Sequence, residues 1–244
     1  MNFKGRRLLI TGGASGVGMA TAGLLASHGA RVGLIDREPA VEAVAGELGG
    51  HGYVADVTDE GAVRQAVSRF AAEVGGIDGL VHCAGIVLIK PTGEITLAEW
   101  KRVIDVNLTG TFVVCQAVLP WLRRAERATI VNVASAQALM PTANANAYAA
   151  SKAGVVMFSK SLAAELAPHI RVNTVCPGLI DTPMNKVTHG NDDAATAARV
   201  LARYPLGRKA DALEIAQAIA FLSSPASSYI TCSALAVDGG RSFH

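Results

Sequence analysis

Short apolar runs with β character alternate with longer amphipathic stretches along almost the whole chain. The runs are Arg7–Thr11, Ala30–Asp36, Gly52–Ala55, Gly79–Cys83, Thr129–Ala134, Arg171–Val175 and Ala234–Val237. Several are almost continuously apolar, the pattern of strands buried on both faces. The helical stretches are Ala14–His28, Asp59–Val74, Leu97–Val106, Leu108–Leu122, Ala147–Leu166 and Ala212–Leu222. Strands that pair in parallel need a crossover between them, usually a helix. The alternation therefore predicts an α/β chain with a parallel sheet of about seven strands and helices on both faces. No repeat or linker interrupts it, so residues 1–244 are expected to form a single domain. The rhythm fails only between Pro177 and Asp211. There Pro183, Gly190, Pro205 and Gly207 flank an Ala-rich helical piece, Asp193–Arg203. An insertion of that length in a compact α/β fold is expected to act as a lid, over about residues 183–210.

Composition narrows the function classes. Half of the 244 residues are hydrophobic and 17% are charged, which is globular and not disordered. A net charge of +2 gives no reason to expect a nucleic-acid or membrane partner. Cys83, Cys115, Cys176 and Cys232 lie far apart, as neither a disulfide framework nor a zinc cluster would. No two histidines are three or four residues apart, so no metal is expected. The N-terminal run Leu8-Leu9-Ile10 is too short for a signal core, and no stretch reads as a membrane span. A cytoplasmic protein is expected.

The first strand runs into Thr11-Gly12-Gly13-Ala14-Ser15-Gly16-Val17-Gly18, at the mouth of the first helix. Glycines allow a tight turn and a close backbone approach to a pyrophosphate. The helix N-terminus adds free N–H groups and a positive dipole end. The spacing is not G-x-G-x-x-G, and Met19 stands where a Walker A loop needs lysine. Alone, the loop could simply join strand to helix. The second strand, however, ends in Asp36, near the ~20-residue offset at which a carboxylate takes ribose hydroxyls. That carboxylate favours NAD over NADP, because it repels a 2′-phosphate. Arg37 keeps the alternative open, since a guanidinium could pair with that phosphate.

Of the four tyrosines, only Tyr148 has a lysine four residues on, Lys152, which shares its helical face. A nearby ammonium favours phenolate, and a tyrosine with a lowered pKa is a usable general acid/base. The pair by itself could equally be a surface tyrosine beside a solvated lysine.

Taken together, these features resemble the single-domain branch of the short-chain dehydrogenase/reductase family, over nearly the whole chain. Thr11-Gly12-x-x-x-Gly16-x-Gly18 matches its cofactor loop, and Asp56-Val57 its adenine-contacting pair. Asn107, Ser135, Tyr148 and Lys152 match its catalytic residues. Pro177-Gly178 with Thr182 matches its carboxamide-holding segment, and Asp238-Gly239-Gly240 its C-terminal ending. The resemblance implies a doubly wound Rossmann-type sheet and NAD as cofactor. It places the cofactor on Gly12, Ser15, Gly16, Val17, Gly18, Asp36, Arg37, Asp56, Val57, Cys83, Ala84, Gly85, Tyr148, Lys152, Pro177, Gly178, Ile180 and Thr182. It further implies that Tyr148 exchanges the substrate proton, Ser135 positions the substrate oxygen and Lys152 serves ribose and phenolate. Asn107 would hold a water linking Lys152 to solvent, where the family kinks a helix. A homotetramer or dimer through Leu108–Leu122 and Ala147–Leu166 is also implied. One departure stands out. His82-Cys83-Ala84-Gly85 replaces the family's Asn-Asn-Ala-Gly, which removes the asparagine amide contacts beside that strand. Cys83 reads as a small packing residue and not as a reactive thiol.

The implied activity is interconversion of a secondary alcohol and a ketone. The substrate is expected against Ser135, Gln137, Tyr148 and Met184, with Val87, Leu139, Leu179 and the Asn185–Tyr204 segment as apolar walls. Lys186, His189, Arg199 and Arg203 could anchor an anion, although solvated charges explain them as well. Two other readings remain. One is a 3-oxoacyl thioester reductase, a class that commonly prefers NADPH. The other is a non-redox member of the scaffold, such as a halohydrin dehalogenase, whose relatives lack the glycine loop and the lysine.

Overall fold

The computed structural model describes residues 1–189 and 193–243, and only the backbone at 187–189. Seven parallel strands form one sheet: β1 (Arg7–Thr11), β2 (Arg31–Asp36), β3 (His51–Val54), β4 (Gly79–His82), β5 (Ala128–Val133), β6 (Ile170–Pro177) and β7 (Ala234–Val237). Their spatial order is β3-β2-β1-β4-β5-β6-β7, and every pairing is parallel. This is the doubly wound sheet expected from the alternation. The order reverses between β1 and β4, which opens a crevice at the C-terminal ends of those strands.

Nine helices accompany the strands among the described residues. They are α1 (Gly16–Ser27), α2 (Ala40–Glu47), α3 (Glu60–Val74), α4 (Leu97–Ile104), α5 (Gly110–Leu122), α6 (Asn146–Leu166), α7 (Pro183–His189), α8 (Ala194–Leu201) and α9 (Ala212–Ser223). Alternate strand residues feed two cores, because successive side chains point to opposite faces. Leu9, Ile35, Leu80, Ile130 and Val172 pack with α3, α5 and the C-terminal half of α6. Leu8, Ile10, Leu34, Val81 and Val131 pack with α1, α2 and α9.

Two helices escape the amphipathic pattern. Helix α2 is short, Ala-rich and opened by Pro39, and it buries only Val41 and Ala45. Helix α7 follows directly on Thr182 in a stretch that reads as loop. The two predicted helices Leu97–Val106 and Leu108–Leu122 are one continuous rod. A wide π turn, Asp105–Thr109, joins α4 to α5. Joined, Leu97–Leu122 is long and apolar enough to cross a membrane by length and composition, contrary to the expectation from the separate pieces. Its apolar side is spent on the sheet: Val113, Val114, Val118 and Leu122 are all buried in the core beneath β4 and β5.

Phe70 of α3 is the keystone of the β1–β3 half. It is fully buried, and its ring meets Tyr53 edge-on at 6.5 Å. A Cβ at Gly33 would come within 2.5 Å of that ring, so β2 carries glycine where the aromatic lies flat on it. Phe70→Ala should cost about 3–5 kcal/mol, read as a lower urea midpoint with an unchanged m-value.

Candidate active site

A cleft of about 350 Å³ lies over the C-terminal ends of the strands. Its first wall is the Gly12–Gly18 turn. Gly12 sits at φ +68°, and a Cβ on Gly18 would lie 2.0 Å from the Gly12 carbonyl oxygen. Only glycine closes this turn. Ser15 stands at the start of α1 without a side-chain cap, and no acidic residue occupies the first turn. The free N–H groups and the positive dipole end therefore face the cleft unneutralised. Thr182 closes the opposite side, with its methyl carbon 3.5 Å from where a Cβ on Gly16 would sit.

Asp36 ends β2 at the cleft. Its Oδ2 accepts from Ala14 N at 3.0 Å and its Oδ1 from Glu38 N at 3.1 Å, which fixes the carboxylate and leaves each oxygen a free lone pair. Arg37 turns to Glu38, Nε to Oε1 at 3.1 Å, in an exposed pair. Asp56 accepts from Thr58 N and Oγ1 at 2.9 and 2.7 Å and faces Arg102 at 3.5 Å. Partial burial pushes its carboxyl up, but these donors outweigh it and hold the group below the usual range. The cradle, the dipole end and the carboxylate are a donor and acceptor set that fits a dinucleotide.

At the other end, Ser135 follows β5 and Tyr148 and Lys152 stand on successive turns of α6. Ser135, Tyr148 and Lys152 all line the cleft. Burial raises the phenol's pKa, and the neighbouring Ser135 side chain works against that. Lys152 is only 4% exposed. Its Nζ donates to the Val133 carbonyl at 2.9 Å and lies 6.0 Å from the Tyr148 ring centre. Burial lowers its pKa to about 8.

Asn107 does not line the cleft. It is fully buried in the π turn, where Oδ1 accepts from Ile86 N at 2.8 Å and Nδ2 donates to Ile86 O and Ser151 Oγ, each at 2.9 Å. Its own carbonyl accepts from Thr111 Oγ1 at 2.6 Å. It approaches the reactive end through Gly85: a Cβ there would sit 3.1 Å from both Asn107 Oδ1 and Lys152 Nζ. The other sequence-derived contacts, Val17, Val57, Cys83, Ala84, Pro177, Gly178, Ile180, Gln137 and Met184, all line the cleft. Both ends of the Gln137 amide are held by Thr142. Leu139 is exposed and turned away, and Met140 takes the place expected for it. Lys186, Arg199 and Arg203 are not in the wall, and the His189 side chain lies outside the described residues. Asn185 and Tyr204, the ends of the expected lid segment, do line it, while sequence reasoning missed Ile86, Ile89, Arg102 and Arg241. Arg241 had the one usable signal, directly after Asp238-Gly239-Gly240.

The His82-Cys83 departure has a clear local structure. Thr11, His82, Asn132 and Thr174 are cross-strand partners in one register row, β1-β4-β5-β6. Thr11 Oγ1 accepts from Ala84 N at 3.2 Å and meets His82 Nδ1 at 2.8 Å. The histidine thus supports the strand end where an asparagine amide was missing. Burial and the neighbouring Lys152 charge push His82 down to about 3, so the ring is neutral. Its Nε2 is buried with no partner among the described residues. Further along the row, Asn132 accepts from Cys115 Sγ and donates to Ser159 Oγ at 2.9 Å. Cys83 is half-buried, and burial lifts its thiol to about 12, which leaves it unreactive at neutral pH.

Three comparisons bear on this geometry. A family model described as Enoyl-(Acyl carrier protein) reductase matches residues 12–242. A cis-4-hydroxycyclohexanecarboxylate dehydrogenase of Sinomonas cyclohexanicum is 42% identical over 98% of this chain and 97% of its own length. A 3-oxoacyl-(acyl-carrier-protein) reductase of Vibrio cholerae is 40% identical over 98% of both chains. The solved structure of a short-chain type dehydrogenase/reductase from Mycobacterium ulcerans superposes with a TM-score of 0.94 at 30% identity, covering 100% of this chain and 92% of that one. The chain belongs to the short-chain dehydrogenase/reductase family. It is therefore an oxidoreductase that acts on CH–OH groups with a nicotinamide cofactor.

The buried lysine sets a pH signature. Its folded pKa, about 8, lies below the ordinary 10.5. Between those values the unfolded chain binds a proton that the folded one does not, so stability rises with pH through that window. The burial penalty is complete below pH 8 and gone above 10.5. Lys152→Met should therefore be more stable than wild type at pH 7, by about 1–3 kcal/mol, with the gain vanishing by pH 10.5. Denaturant titrations at pH 7 and 10 measure it.

Proposed function

We propose that this chain interconverts a secondary alcohol and a ketone using NAD, with Tyr148 as general acid/base. The observation that carries the reading is a buried Lys152 6.0 Å from the Tyr148 ring centre, with Ser135 in the same cleft as the glycine cradle. The nicotinamide, when bound, supplies hydride acceptance and donation. Tyr148 Oη takes the hydroxyl proton in oxidation and returns it in reduction. Ser135 Oγ holds the substrate oxygen within reach of that phenol. Burial alone holds the phenol protonated, so cationic charge around it is what makes the phenolate accessible. Lys152 brings one such charge and, held on Val133 O, presents its remaining protons to a ribose. Asn107 fixes the Ile86 backbone and borders Gly85, and so positions Lys152 and its route to solvent.

Support for NAD comes from Asp36, whose charge would repel a 2′-phosphate, and from Arg37, which pairs with Glu38. The 3-oxoacyl thioester reductase reading with NADPH keeps specific support from several relatives of that name, the Vibrio cholerae protein among them. The Sinomonas cyclohexanicum relative supports a cyclic hydroxy acid instead. We take residues 183–210 as the lid, because Met184, Asn185 and Tyr204 face the cleft while α8 buries none of its own residues. Exposed Phe112 on α5 and Met157 on α6 suit these helices to a homotetramer or dimer interface. A cytoplasmic location accords with this reading.

Tyr148→Phe should bind NAD as wild type does and lose at least about 10²–10⁴-fold in kcat; retained turnover would falsify the assignment. Wild type should favour NAD over NADP in kcat/KM, and Asp36→Ala should shrink that preference about tenfold or more. A wild-type preference for NADP would reverse the reading of Asp36.

A further inference from the structure

Four cationic side chains line the cleft: Arg37, Arg102, Lys152 and Arg241. Arg37 and Arg102 stand with Asp36 and Asp56 at the dinucleotide end, each paired with a carboxylate. Lys152 belongs to the reactive centre. Arg241 has no such assignment. It is 9% exposed, yet among the described residues no carboxylate lies within ion-pair distance of its guanidinium. The nearest acidic residue in sequence, Asp238, spends Oδ1 on Gly240 N at 3.0 Å and Oδ2 on Ser242 N at 2.9 Å. Among the described residues, the guanidinium's one side-chain hydrogen bond runs from Nη1 to the Met140 thioether, at 2.8 Å. A thioether is a weak acceptor, and a guanidinium carries five N–H donors.

Its position is defined by that contact. Met140 belongs to the turn that follows Ser135, tied back through Met140 N to Ala136 O at 2.8 Å. Arg241 therefore reaches over the substrate side of the Ser135–Tyr148 centre. Val87, Leu179 and Met184 give the wall between them an apolar character. Arg241 lines the cleft with guanidinium donors left over, facing the space a ligand would fill.

We propose that Arg241 is the anchor for a carboxylate on the substrate, which makes the substrate class a hydroxy or oxo acid with an apolar body. This rests on the oxidoreductase reading of the same cleft. The planar fork matches a carboxylate in two parallel N–H···O bonds. A carboxylate fits better than a phosphate dianion, because Arg241 is the single unassigned cation at this end among the described residues. The proton and hydride chemistry stays at Tyr148 and Ser135, while Arg241 fixes which end of the molecule faces away from them.

The test separates binding from turnover. Cyclohexanecarboxylate and its neutral isostere cyclohexanecarboxamide, neither of which can react, are titrated calorimetrically into the protein with saturating NADH. Wild type should bind the carboxylate roughly 10- to 100-fold more tightly, the range expected for a charge-assisted pair. Arg241→Met should erase that preference, Arg241→Lys should keep part of it, and Met140→Leu should keep it. Equal binding of the two probes by wild type overturns the proposal, as does no measurable carboxylate binding. So does a preference that survives in Arg241→Met, or inorganic phosphate competing as well as the carboxylate. Turnover of 4-oxocyclohexanecarboxylate against its methyl ester gives a second readout, since the acid-to-ester ratio of kcat/KM should fall in Arg241→Met. Failure of every variant and of wild type to oxidise NADH with any ketone would strike the oxidoreductase reading, and the calorimetric result would stand apart from it.

Discussion

All seven strands run in one direction, and the rest of the molecule follows from that. A parallel pair cannot be closed by a hairpin, so each connection must travel back along a face of the sheet. Both faces become buried, which is why Leu8 and Leu9, or Leu80 and Val81, are equally apolar neighbours serving different cores. The same constraint gathers every strand's C-terminal end at one edge. The cradle after β1, the carboxylate after β2, Asp56 after β3 and Ser135 after β5 are distant in sequence and adjacent in space for that single reason.

At this edge the packing changes character. One row of strand residues, Thr11, His82, Asn132 and Thr174, is polar although completely buried. Buried polar groups are tolerated when they are bonded, and most of this row is, to each other or to α5 and α6. His82 Nε2 and Thr174 Oγ1 remain exceptions among the described residues. Next to them lies a lysine whose charge the burial disfavours. The site end of the protein thus gives up stability that the opposite end, filled by Phe3, Leu25 and Phe70, supplies.

How much of this was legible in the sequence depended on period and on punctuation. The strands were readable because continuous Leu, Ile and Val runs stand between glycines. The cradle was readable because its glycines are spaced by function. Tyr148 and Lys152 were visible only as a pair that any helix could carry, and the burial of Lys152 and the nearness of Ser135 that distinguish them are tertiary facts. Helix α2 was hidden by its small residues, and the π turn at Asp105–Thr109 by a pattern that looks like two helices. Arg241 could not be weighed at all, because the lack of a carboxylate within ion-pair distance of it among the described residues is a property of the folded neighbourhood. Leu139 misled in the opposite way: of two adjacent apolar residues after Ser135, the structure puts Met140 in the wall and leaves Leu139 exposed.

The bond between Asn132 and Ser159 has a reach beyond its own surroundings. Ser159 lies on the same helix as Tyr148, about three turns and ~16 Å further along. Its hydroxyl is buried, donates to Val155 O at 2.7 Å and receives from Asn132 Nδ2 at 2.9 Å. A long helix resting on aliphatic side chains can slide or roll by small amounts at little cost, but one pinned by a directional bond to a strand cannot. The register of α6 against β5 is therefore indexed at Ser159, and the phenol at the far end inherits that alignment. Precision at the Tyr148 phenol is stored as a lever arm, fixed at a point outside the cleft lining.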